Sequence, residues 1–296
     1  VSVCRSAFTP RPGDPDAASY CVPWPHYDDY IARDLVATVD GLHGLGALDL
    51  RGAGACFRDA VTMGSDHEDQ WQAVWTEGCL PLVEALTGHL DDAESGAAAA
   101  VEASVATHQW NLHGLASACR AAAALGQGRV TDAEEQAIVA VQSFRRSEYF
   151  WAGAVGYPHV VAARAFRGDI TSAREAMRDW FAIGGPLAAR TAMTAEVLCG
   201  DVNEVRDLLA RHPLTPLPPR PALFPLHQAV AAIEVGVRLQ DVGLVEDGYH
   251  HLAQMPEDIA FGIEWCVGLA RVAAAGATFL GRLDDATTWV GRARSA

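Results

Sequence analysis

Three residues that can stack on or hydrogen-bond a ligand recur at a fixed interval: Trp71, Asn111 and Trp151 stand 40 residues apart. Glu68, His108 and Glu148 keep the same interval three positions earlier, and Trp75 lies four residues beyond Trp71. Residues three or four apart share a helical face, so on helices these groups form a stripe of carboxylate, imidazole, amide and indole. A stripe of that chemistry suits an extended peptide or a small effector held by stacking and a few polar anchors. Trp110, His113, Tyr149, Phe150, Tyr157 and His159 fall in the same central region, and Trp110, Tyr149 and Tyr157 are read as aromatic support for the groove. The plainer reading has Trp71, Trp75 and Trp151 filling gaps among the many Ala and Gly residues.

The patterns that would carry catalysis are weaker. His108 and His113 are five apart, whereas two helical metal ligands of the HExxH kind need four. His250 and His251 are separated from Glu257 and Asp258 by Pro256, which puts the acids in the next turn. The acidic runs at 26–30 and 66–70 lack calcium-loop spacing and suit helix starts. Cys79 or Cys119 could meet His108 after folding, but small-residue packing accounts for each thiol. No catalytic residue is assigned, and neither a metal nor another cofactor is expected. A helical enzyme with a central aromatic, His and Glu pocket stays as the lesser alternative.

Composition narrows the partners. The chain of 296 residues has 22 basic and 37 acidic side chains, and all the basic ones are Arg. Without Lys there is no Schiff-base amine and no Walker-type phosphate lysine. A net charge of −15 argues against direct nucleic-acid binding by this segment and against a polybasic membrane contact. The seven Cys form no CxxC pair, as expected of reduced thiols in the cytoplasm.

The elements that must position the stripe come from a recurring turn. GHLDDAE, GRVTDAEE, GDITSARE, GDVNEVRD and GRLDDAT each join a Gly to a helix start and then to a small inward residue. Taking Ala53, Ala93, Ala133, Ala173, Val205, Gly248 and Ala286 as the centres, the spacings are 40, 40, 40, 32, 43 and 38 residues. That length holds two antiparallel helices, each pair exposing apolar surface that only a neighbouring pair can cover. Glycines 88, 126, 168, 200, 243 and 281 are expected to end helices in the left-handed conformation, with Thr131 and Glu134 as a capping box. Pro81 is expected to kink a helix over 69–87, and a helix is expected over 259–279.

These turns resemble tetratricopeptide-like repeats, and the repeat length looks like the arrays of large bacterial MalT-like and LuxR-type ATPase transcription activators. The resemblance implies an all-α fold, a right-handed superhelical array of antiparallel helix pairs, acting as sensor or scaffold. Residues 1–27 read as an irregular Pro-rich arm, 28–211 as repeats, 212–225 as a Pro-rich insertion loop and 226–296 as repeats resuming. The expected function is a regulatory binding domain for a small effector or a partner protein domain, the alternative being an interaction scaffold without a small ligand.

Overall fold

One backbone turn, made seven times, underlies the repeat. A computed structural model describes residues 40, 44, 47–65, 76–147, 150–184, 186–217, 223–262 and 267–295. Leu48, Gly88, Gly128, Gly168, Gly200, Gln240 and Gly281 all have positive φ, so the turns recur every 40 residues except for one interval of 32 and one of 41. In each, the next residue's N–H donates back to the preceding helix, as from His89 to Glu84 O and from Arg129 to Ala124 O. The carbonyl of that same residue accepts the first bond of the following helix, from Ala93, Ala133, Ala173, Val205, Val245 or Ala286. One residue thus closes a Schellman motif and serves as the next N-cap.

This geometry corrects the sequence reading in four places. The sixth centre is Val245, not Gly248, because Gln240 makes the turn. Gly248 misled because it too is obligatorily small: a Cβ there would lie 2.8 Å from Ala229 O, where two helices touch. Gly128 and Gln240 adopt the left-handed conformation in place of Gly126 and Gly243. Thr131 lies inside its helix and Arg129 holds the N-cap position, so no capping box forms there.

Among the described residues the turns join these helices: α1 (Leu50–Ser65), α2 (Leu80–Thr87), α3 (Leu90–Ala106), α4 (Trp110–Gly126), α5 (Val130–Ser147), α6 (Phe150–Phe166) and α7 (Ile170–Gly184). There follow α8 (Pro186–Cys199), α9 (Val202–Arg211), α10 (Leu223–Leu239), α11 (Val242–Leu252), α12 (Leu269–Phe279) and α13 (Leu283–Ser295). The array is all-α but for a two-residue antiparallel pair, β1 (Phe261–Gly262) with β2 (Val267–Gly268). That pair replaces the first part of the helix expected over 259–279, which begins only at Leu269. Pro81 lies in the first turn of α2, where its missing N–H costs nothing, so it starts this helix and does not kink it.

The even-numbered helices form the inner layer. α2, α4, α6, α8, α10 and α12 pack one against the next in sequence, and the odd-numbered helices cover them. α4 shows why: from Gly114 to Leu125 every residue except Arg120 is buried, and most are Ala. Small side chains let the backbones of α2, α3, α5 and α6 approach it on all sides. α8 packs on both α9 and α10, spanning the Pro-rich stretch. At the far end, the Ala260 N–H donates to Leu86 O at 2.8 Å and β1 lies on α2, so the last hairpins are fastened to the first. One apolar cluster accordingly contains Leu82, Leu86 and Cys119 together with Leu226, Ile233, Ile259 and Val272. None of the described helices is long and apolar enough to cross a membrane.

Two turn glycines separate backbone strain from this fastening. Gly128→Ala is expected to cost about 1–2 kcal/mol, the penalty of a Cβ in the left-handed region, since nothing lies within 4 Å. Gly88→Ala is expected to cost clearly more, because its Cβ would sit 3.0 Å from Ala260 Cβ. Urea unfolding of both variants measures the difference, and equal losses would mean that the 260 segment does not press on α2.

Candidate functional site

Of the proposed groove residues, Glu68, Trp71, Trp75, Glu148 and Tyr149 lie outside the described residues, and Trp151 is described by its backbone alone, in the first turn of α6. His108 does not stand on a helical face. It is exposed in the turn between α3 and α4, with φ 57°. Asn111 is half-buried in the first turn of α4. Leu115, one turn further along the same face, is 5 % exposed and belongs to the core. On α4 the face that carries Asn111 is therefore open only at the helix start, and the rest of it is packed away.

Trp110 begins α4, and its ring meets the His113 imidazole edge-on at 5.6 Å. The Arg146 guanidinium lies 4.1 Å over the same indole, a contact worth about 0.5–1 kcal/mol at an exposed position. His113 Nδ1 is hydrogen-bonded to Ser143 Oγ at 2.8 Å, which ties the start of α4 to the end of α5. Burial and then the Arg146 charge hold the His113 pKa below its ordinary 6.5. The cluster offers a neutral imidazole, an indole face and one cation at a single rim of the array.

Tyr157 belongs elsewhere. It is 2 % exposed, stacks on Trp180 at 5.5 Å and 15°, and its hydroxyl accepts from Arg145 at 3.0 Å. Counted from the turns, Trp180 occupies the place that Ala60, Ala100 and Ala140 hold in earlier repeats. Tyr157 likewise stands where later repeats place Ala189 and Ala229. A large stacked pair thus replaces small ones in one repeat, beneath a cleft of about 570 Å³ between α5 and α7. Ile138, Val141, Val160 and Ala176 line the cleft with Tyr157, and Gln142, Arg145, Arg164, Glu175, Arg178 and Asp179 supply its polar groups. Sequence reasoning missed Arg145, Arg146, Ser143 and Trp180. Trp180 was visible as a break in the run Ala60, Ala100 and Ala140, each seven residues after a centre.

Arginine pairs link successive repeats. Arg129 reaches Glu94, Arg164 reaches Glu134 at 2.7 Å, Arg271 reaches Glu234 at 2.7 Å and Arg282 reaches Glu246 at 3.4 Å. Two pairs run the other way, with Arg in the earlier repeat: Arg145 reaches Asp179 at 2.9 Å, and Arg174 holds Glu196 through two bonds of 2.8 and 2.6 Å, that carboxylate being nearly buried. The planar fork of Arg suits this two-point pairing. The bidentate contact with Glu196 raises the Arg174 pKa above an already high value. Burial pushes the thiols of Cys79 and Cys119 upward, the latter to about 12, so both are protonated packing groups, not nucleophiles.

These features define an α-solenoid of tetratricopeptide-like helix pairs whose distinctive side chains gather around α4 to α7. Among solved structures it is similar to a Rap protein crystallised in complex with competence and sporulation factor, with a TM-score of 0.65 and 12 % identity over 90 % of this chain and 74 % of that one. At that identity the likeness is one of fold. No family model matches the chain and no curated protein matches its sequence.

The depressed His113 pKa has a consequence for stability. Below pH 6.5 the unfolded chain takes up a proton at this residue while folded His113 resists it, so its share of stability is present above 6.5 and declines as the pH falls. His113→Gln is expected to flatten the pH dependence of the urea midpoint below pH 6.5. An unchanged slope would show that His113 titrates alike in both states.

Proposed function

We propose that this chain is a peptide- or protein-binding scaffold that engages its partner at the rim formed by the starts of the inner helices. The observation that carries the reading is Trp110, held at the first position of α4 with His113 at its edge and Arg146 over its face. An amphipathic aromatic group backed by a cation is the kind of anchor that dominates binding energy in peptide and protein interfaces. Support comes also from the shared fold of a Rap protein whose structure holds competence and sporulation factor. Asn111 neighbours Trp110 at the same helix start, and Trp151 begins the next inner helix. The proposed groove joins these to Glu68, Trp71, Trp75 and Glu148.

In this reading 28–296 work as one array with 212–225 as an insertion, which the packing of α8 on α10 supports. Membership of a larger cytoplasmic bacterial transcription regulator is part of the proposal and rests on the turn motifs alone.

Selection from a displayed random peptide library tests the reading. Enriched peptides are expected to share a consensus, and Trp110→Ala or Arg146→Glu to weaken their binding about tenfold or more. Recovery of no consensus, or binding indifferent to both substitutions, would overturn it.

A further inference from the structure

The edge at which inner helices end and outer helices begin is unevenly covered. Of the seven large hydrophobic side chains most exposed among the described residues, four stand two residues from a turn: Phe166, Leu198, Val242 and Leu283, between 45 and 66 % exposed. Their turns, at Gly168, Gly200, Gln240 and Gly281, belong to consecutive hairpins, since α6, α8, α10 and α12 pack one on the next. Neighbouring turns also touch, Arg238 Nη2 lying 3.4 Å from Gly200 O. Hydrophobic groups scattered singly over a surface need no explanation, but a row at one register does. The molecule itself supplies an example of what covers such an edge. Leu86 stands two residues before Gly88, as Phe166 and Leu198 do before their glycines, and it is fully buried. There the segment entering β1 crosses the turn, with the Ala260 N–H donating to Leu86 O at 2.8 Å. Ala260 and the Phe261 ring lie against Gly88, 3.0 and 3.5 Å from where its Cβ would stand. The matching carbonyls of Phe166 and Leu198 accept from no backbone N–H among the described residues.

We propose that the four uncovered turns bind an extended, basic segment of a partner protein that carries a large apolar side chain at every third residue. Packed helices lie about 8–10 Å apart, which sets the spacing of successive turns. A polyproline II segment advances about 3.1 Å per residue with three residues per turn, so its side chains recur on one face at a matching interval. One apolar side chain then meets each turn. A β-strand, with its period of two, would direct every other such side chain away. The polyproline II backbone has no internal hydrogen bonds, so its N–H groups are free to donate to Phe166 O and Leu198 O as Ala260 does to Leu86 O. Basic side chains follow from charge: the ends of the inner helices present partly negative carbonyls, and the chain carries −15 overall. This edge is separate from the Trp110 rim, because Trp110 begins α4 and the turn at Gly128 follows the other end of that helix.

Fluorescence anisotropy of the whole chain with two labelled peptides of one composition tests this: LPRLPRLPR, with Leu at every third position, and LRLPLRPRP, with Leu at alternate positions. The first is expected to bind saturably and the second about tenfold more weakly. Phe166→Ser and Leu198→Ser are each expected to weaken the first about tenfold, while Trp110→Ala leaves it unchanged. Phe166 and Leu198 are exposed, so neither substitution threatens the fold. Sedimentation of the peptide-free chain is expected to give the same mass with and without Leu198→Ser. No saturable binding of the first peptide at millimolar concentration, equal affinity for both peptides, or binding indifferent to both Ser variants would overturn the proposal. So would binding lost in Trp110→Ala alone, which places the peptide at the rim, or a dimer that Leu198→Ser dissociates, which makes a second copy the occupant.

Discussion

How closely α4 can be approached governs this fold. An inner helix in a solenoid is covered by its own hairpin partner, by the preceding outer helix and by inner helices on either side. Only small side chains permit that many backbones within contact distance, and α4 supplies Ala at 116, 118 and 121–124, with Ser117 and Cys119 between. The gain is dense packing over a long face, in which each atom contributes little and the sum is large. The same constraint explains where the array can depart from its pattern. Tyr157 and Trp180 are large where the preceding repeat has Ser117 and Ala140, and they lie beneath the cleft between α5 and α7.

The turns impose a second economy. The residue after each left-handed position closes one helix and opens the next, so its side chain has two possible uses. Asp49, Asp169, Asp201 and Asp241 cap their own helices by accepting from the N–H three residues on. Arg129 and Arg282 give up that cap and reach back to the previous repeat instead. Where Asp201 caps, the inter-repeat pair survives with its charges exchanged, Arg174 lying in the earlier repeat and Glu196 in the later. Local helix ends and repeat-to-repeat coupling thus compete for one position, and the array uses both solutions, while His89 does neither and pairs back with Thr87 and Glu84.

The last turn of α5 matters to function because it faces two ways. Ser143 and Arg146 point to the Trp110 rim, while Gln142 and Arg145 point into the cleft. Consecutive helical residues are about 100° apart, so a single turn serves both surfaces.

The helix-pair architecture was legible in the sequence because the turn is local: a Gly, a helix start and a small residue at a fixed offset need no distant partner. The interval of 32 and most centres followed directly. Gly248 was mistaken for a centre because it and Val245 both face inward on one helix, and the small residue there is the one set by close contact with Ala229 and not the one set by the turn. The stripe of Trp71, Asn111 and Trp151 was legible as periodicity, but periodicity alone does not distinguish a groove from a core, and Leu115 shows that the face turns inward within one turn of Asn111. What the tertiary structure alone decided was which side chains meet across repeats. Tyr157 with Trp180, His113 with Ser143 and Ala260 with Leu86 are 23, 30 and 174 residues apart. Such pairings depend on how hairpins stack and on how far the array curls. Sequence spacing fixes the repeat, while the sum of many small helix displacements sets the curl.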